Sequence, residues 1–121
     1  MSGRILIIDD EEMMRELLRL HLTSAGYTVQ VAVDAISAGY AMLQNPPELI
    51  LCDVEMPHMN GVQLISALRA DKTLPAVPVI FLTSVDEGEV RPDEMSAGYL
   101  QKPVRLEALL AAVQRHLPRR R

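Results

Sequence analysis

The sequence predicts an α/β domain: a single five-stranded parallel sheet with helices on both faces. Short apolar runs alternate along the chain with longer segments whose apolar residues recur at steps of three and four. The runs are nearly continuous in Ile, Leu and Val, as expected of strands covered on both faces. Four of them stop at carboxylate, hydroxyl or ammonium side chains. In an open parallel sheet, that edge is where ligands bind.

The first strand is Ile5-Leu6-Ile7-Ile8, and Asp9-Asp10-Glu11-Glu12 follows it. The next segment sets Met14, Leu17, Leu18, Leu22 and Ala25 on one helical stripe and stops at Gly26. Met13 and Leu20 lie beside that stripe and give the helix extra apolar surface. Tyr27 to Ala32 is the second strand. Asp34 is placed to cap a helix over Ala35 to Gln44, with Ile36, Tyr40 and Leu43 as its expected core stripe. Pro46-Pro47 forbids continuation and sets the turn into the third strand, Leu49 to Asp53.

Asn60 can cap a third helix carrying Val62, Leu64, Ile65 and Leu68. A loop over Leu74 to Pro78 leads to the fourth strand, Val79 to Leu82, which ends at Thr83-Ser84. Val85 to Gly98 is polar and acidic, holds Gly88 and is interrupted by Pro92. It predicts a fourth helix that is short or irregular, starting at Pro92 and reaching Met95 or Ala97. Tyr99 to Gln101 is a short fifth strand before Lys102-Pro103. The last helix runs from Arg105 to Leu117, with Leu106, Leu109, Leu110, Val113 and Leu117 inward, and Pro118 stops it.

At 121 residues and 49% hydrophobic, the chain is long enough for one domain with its own core. We place the domain at 1–118, with 119–121 as a basic C-terminal tail or the start of a linker. A net charge of -4 gives no general case for nucleic acid or an anionic membrane. Cys52 is alone, so there is no disulfide framework, and it reads as a small buried hydrophobe. His21, His58 and His116 are scattered and form no metal site. No segment has the length of a signal peptide or membrane span, which points to the cytoplasm.

The strand ends carry the chemistry: Asp9 and Asp10, Asp53, Thr83, and Lys102. Singly, each has an ordinary explanation as a helix cap, a turn residue, an edge hydroxyl or a surface lysine. Together, at successive strand ends, they converge on one crevice. Two carboxylates about 4 Å apart repel by roughly 4 kcal/mol at an effective dielectric of 20. Three need a cation among them, and an all-oxygen set suits Mg²⁺. Asp53 then has what a carboxylate nucleophile toward phosphorus needs: a metal, a lysine and a hydroxyl.

These residues resemble the receiver domain of bacterial response regulators over nearly the whole chain. The matching pieces are Ile5 to Glu11, Asp53 with Met56-Pro57, Met59 and Gly61, then Thr83-Ser84, and Tyr99 to Pro103. The resemblance implies a flavodoxin-like sheet of order 2-1-3-4-5. It implies that Asp53 accepts a phosphoryl group from a histidine kinase or histidine phosphotransfer protein. It implies Mg²⁺ on Asp9, Asp10, Asp53 and the Glu55 backbone carbonyl, with Thr83 and Lys102 on the phosphate. It implies a cis Lys102-Pro103 bond and a Thr83–Tyr99 switch that alters the surface around strand five. The start of the first helix, with Met13, is an expected kinase-docking surface. The downstream protein or effector domain is unknown. No direct nucleic acid or membrane contact is expected, and no enzymatic activity beyond Mg-dependent self-phosphorylation and autodephosphorylation at Asp53. The alternative is a phosphorylation-independent interaction scaffold.

The sequence departs from the family in two places. Thr83 and Lys102 are nineteen positions apart, closer than usual, with Gly98 running straight into Tyr99. The expected consequence is that any homodimer uses a non-standard face. Glu55, two residues past Asp53, is an acidic choice at a variable position and is expected to alter acyl phosphate hydrolysis, in a direction the sequence leaves open.

Overall fold

The computed structural model describes residues 3–57, 59–84 and 96–117. The short-helix expectation for Val85 to Gly98 falls largely on 85–95, outside the described residues, as do His58, Pro118 and the 119–121 tail. The elements are β1 (Arg4–Ile8), α1 (Glu12–Ser24), β2 (Thr28–Ala32), α2 (Ala35–Gln44), β3 (Leu49–Asp53), α3 (Gly61–Ala70), β4 (Val79–Thr83), β5 (Ser96–Gln101) and α4 (Leu106–His116). The strands form one sheet in the flavodoxin-like order β2-β1-β3-β4-β5, and every pairing is parallel.

Alternation along each central strand divides the core in two. Ile5, Ile7, Leu49, Leu51, Ile80 and Leu82 pack with Leu18 and Leu22 of α1 and with Leu109 and Val113 of α4. Leu6, Ile8, Ile50, Cys52, Val79 and Phe81 face the other way, onto Met42 of α2 and Leu64, Ile65 and Leu68 of α3. All five residues of β3 and of β4 are buried, so continuous apolar runs correctly marked strands covered on both faces. Gly26 follows α1 with φ of 100°, the left-handed conformation that glycine adopts without a Cβ penalty.

Both predicted caps are present. Asp34 Oδ1 accepts from the Ser37 N–H at 2.8 Å, and Ser37 Oγ accepts from the Asp34 N–H at 3.2 Å, a reciprocal capping box. Asn60 Oδ1 accepts from the Val62 N–H at 2.7 Å and starts α3.

The structure corrects four expectations. In α2, Ile36, Tyr40 and Leu43 do not face the core; they are 85%, 66% and 58% exposed, and Ala38 and Met42 are buried instead. This helix is apolar nearly all round, so two stripes fit the helical period equally well. The small Ala38 lets the helix lie close to the sheet, and the large residues turn outward. Leu17 of α1 and Leu106 of α4 are also substantially exposed, each at the margin of its stripe. The fifth strand starts at Ser96, not Tyr99, so no helix reaches Ala97. Val79 pairs with Ser96 and Ile80 with Gly98, leaving Ala97 as a register irregularity that breaks the strand pattern.

The α2 correction carries a prediction. Met42→Ala should destabilise by about 2–4 kcal/mol, as for other buried large-to-small changes. Ile36→Ala should move stability by under about 0.5 kcal/mol. Urea denaturation of the two variants checks this, and equal losses would contradict the observed phase of α2.

Candidate functional site

The β1 and β3 ends bring the acids together. Parallel pairing sets Ile8 beside Cys52, so Asp9 and Asp53 leave neighbouring strands at one level. Asp9 is 0% exposed and Asp53 2%, an expensive setting for carboxylates without a cation. One carboxylate oxygen from each of Asp9, Asp10 and Asp53 lies within 4.8 Å of the others. Asp9 Oδ1 accepts from the Glu11 N–H at 2.9 Å, but Asp9 Oδ2 is buried with no hydrogen-bond partner. Burial, set against that N–H bond and aided by the Asp53 charge, pushes Asp9 up to about 6. An orphaned buried oxygen within an acidic trio fits a hard divalent cation such as Mg²⁺.

Lys102 supplies a counter-charge from the end of β5. Its Nζ donates to Asp53 Oδ1 at 2.8 Å, with the Asp53 side chain 3% exposed. Burial alone would lower the ammonium pKa, but the Asp53 hydrogen bond and charge outweigh it and raise it. The backbone fixes the approach: the Lys102 N–H donates to the Thr83 carbonyl at 2.8 Å, and the Lys102-Pro103 peptide is cis. The Glu55 N–H donates to Asp53 Oδ1 at 3.1 Å.

Thr83 is 1% exposed at the end of β4. Its hydroxyl donates to Glu55 Oε2. Glu55 Oε1 accepts from the Ser84 N–H at 2.9 Å and the Ser84 hydroxyl at 3.1 Å, and lies 3.9 Å from Lys102 Nζ. Partial burial would raise the Glu55 pKa, but these donors outweigh it and hold the carboxyl below its ordinary range. Tyr99 is half-buried, its ring stacked on Phe81 with centroids 5.6 Å apart and planes 27° from parallel.

Asp9, Asp10, Asp53, Lys102 and Thr83 therefore lie together at one sheet edge, and of the Glu55 backbone it is the N–H that meets Asp53. Sequence reasoning missed the Glu55 side chain as a partner of Thr83 and Ser84. It also missed Arg15, whose guanidinium donates to the Asp9 carbonyl at 3.0 Å. The acidic residue two past Asp53 was the only local signal for the first, and nothing local marked the second. Cys52 is fully buried, and burial pushes its thiol up, which fits an inert core residue.

A parallel sheet in this order, with acids, a hydroxyl and a lysine at successive strand ends, defines the receiver class of signalling domain. The chain belongs to the response regulator receiver domain family, whose profile matches residues 5–114. Response regulator MprA of Mycobacterium ulcerans is 38% identical over 122 residues, covering 98% of this chain and 52% of that protein. The DNA-binding dual master transcriptional regulator RpaA of Synechocystis is 36% identical, covering 96% of this chain and 49% of that protein. The chain thus spans about half the length of these curated relatives. Among solved structures, the chemotaxis response regulator CheY4 of Vibrio cholerae matches with a TM-score of 0.83 and 29% identity, covering 95% of this chain and 98% of that one. Among the described residues, no helix is long and apolar enough to cross a membrane.

Proposed function

We propose that this domain is a phospho-accepting switch of a two-component phosphorelay, with Asp53 as the acceptor. The observation that carries the reading is the buried Asp53 carboxylate, 2.8 Å from Lys102 Nζ and within the Asp9-Asp10-Asp53 trio. A carboxylate oxygen of Asp53 forms a P–O bond as the donor's P–N bond breaks. The donor is a phosphohistidine of a histidine kinase or phosphotransfer protein, whose imidazole nitrogen keeps the electron pair and takes a proton. Asp9, Asp10 and Asp53, with the Glu55 backbone carbonyl, would hold Mg²⁺, which would supply positive charge for the phosphoryl oxygens.

Lys102 holds Asp53 in place and offsets the charge of the phosphoryl group. The Thr83 hydroxyl then binds a phosphoryl oxygen, and its movement is read by Tyr99 and the surface around β5. That surface signals to a downstream protein or effector domain in the cytoplasm. The chain's own chemistry is limited to self-phosphorylation and autodephosphorylation at Asp53.

The test is exposure to a small phosphodonor with Mg²⁺, followed by intact mass. The wild-type domain should gain one phosphoryl group; Asp53→Asn, or chelation of Mg²⁺, should prevent it. An Asp53→Asn variant that gains the same mass would move the acceptor elsewhere. A wild-type domain that gains none would favour a phosphorylation-independent scaffold.

A further inference from the structure

The metal reading uses Glu55 only through its backbone, yet its side chain accepts more hydrogen bonds than that of Asp9 or Asp53. Its two oxygens take the Thr83 hydroxyl, the Ser84 N–H and the Ser84 hydroxyl, and one lies 3.9 Å from Lys102 Nζ. Thr83 and Lys102 are the groups assigned above to the phosphoryl oxygens. A carboxylate and a phosphoryl group ask for the same donors, and both are anionic. They cannot share the Thr83 hydroxyl, which has one proton to donate. Nor can a phosphoryl group enter beside an ionised Glu55 without like-charge repulsion.

We propose that the Glu55 carboxylate is an internal competitor for the phosphoryl group, seated on Thr83 and Ser84 and displaced when Asp53 is phosphorylated. This rests on the phospho-acceptor reading of Asp53. It also gives a direction that the residue type alone does not: Glu55 weakens capture of the phosphoryl group. The resting arrangement fits a carboxylate standing in for phosphate. Glu55 thus sets how tightly the site captures a phosphoryl group, acting by occupying its donors.

The experiment measures beryllofluoride, a tetrahedral phosphoryl analogue, binding at saturating Mg²⁺ by calorimetry. Wild type is compared with Glu55→Ala and Glu55→Gln. Loss of a competitor held by several charge-assisted bonds should tighten binding by about tenfold in Glu55→Ala. Glu55→Gln, the same size but uncharged, should fall between. The phosphodonor concentration giving half-maximal uptake should drop by a similar factor, with the maximal rate changing less. A merely structural role would lower the melting temperature without tightening binding. If both folded variants bind no tighter than a wild type that does bind, the competitor idea is overturned and the acceptor reading stands. If wild type and variants alike bind neither beryllofluoride nor phosphoryl, both are overturned.

Discussion

Gly61→Ala is expected to destabilise the domain by about 3 kcal/mol or more and to abolish phosphoryl uptake at Asp53. Gly61 is buried at the start of α3, and its N–H donates to the Val54 carbonyl at 2.8 Å. A Cβ added there would run into the Asp53 carbonyl oxygen, with the Asp53 carbonyl carbon at 2.9 Å and Val54 Cα at 3.0 Å. All three obstacles are backbone atoms, so no rotamer change relieves the clash. The chain after β3 would have to move, and with it the carboxylate that Lys102 grips at 2.8 Å. Gly39→Ala is the control. Its added Cβ meets only Leu68 Cδ2, at an ordinary 3.8 Å, inside a helix. That change should stabilise by about 0.5–1 kcal/mol through helix propensity. Denaturant midpoints at constant slope measure both. A Gly61→Ala domain within about 1 kcal/mol of wild type would show that the β3–α3 junction is not fixed by close approach.

What could be read in the chain follows from what local pattern can encode. Continuous runs such as Leu49 to Cys52 identified buried strands because burial on both faces leaves few polar choices. Asp34 and Asn60 were legible as caps because a short acceptor before a helix bonds locally. The helical phase of α2 was not legible, since Ala35, Ala38 and Met42 compete with Ile36, Tyr40 and Leu43 at the same spacing. Only contact with the sheet decides between them. The site's membership was legible because topology brings strand ends together regardless of loop detail. The engagement of Glu55 with Thr83, twenty-eight positions away, depends on a side-chain direction that no local pattern encodes.

Asp9→Asn is expected to make the domain more stable and to disable the metal site in the same step. Asp9 is fully buried, one of its oxygens has no partner, and Asp53 and Asp10 add like charge. Burial, the largest influence, helps hold its carboxyl at about 6, above the ordinary 3.8. As pH rises from about 4, the unfolded chain ionises Asp9 while the folded chain still keeps the proton. The folded state then binds more protons, so stability falls across this window and levels off above about pH 7. Without a divalent ion, that shift corresponds to a loss on the order of 3 kcal/mol. Glu55 acts in the opposite sense, since its depressed pKa gives stability that is present at neutral pH and lost on acidification. An Asn at position 9 keeps an oxygen for the Glu11 N–H, cannot ionise, and removes only the first effect. With chelator present, urea melts at pH 5 and 7.5 should show wild type losing stability as pH rises. Asp9→Asn should not lose it, and should exceed wild type by about 2 kcal/mol at pH 7.5. Adding Mg²⁺ should restore wild type and leave the variant unmoved. Equal pH dependence in the two proteins would mean that the acidic trio carries no cost in the fold. That cost is what makes a cation fit there: a site held under charge repulsion gains most from whatever neutralises it.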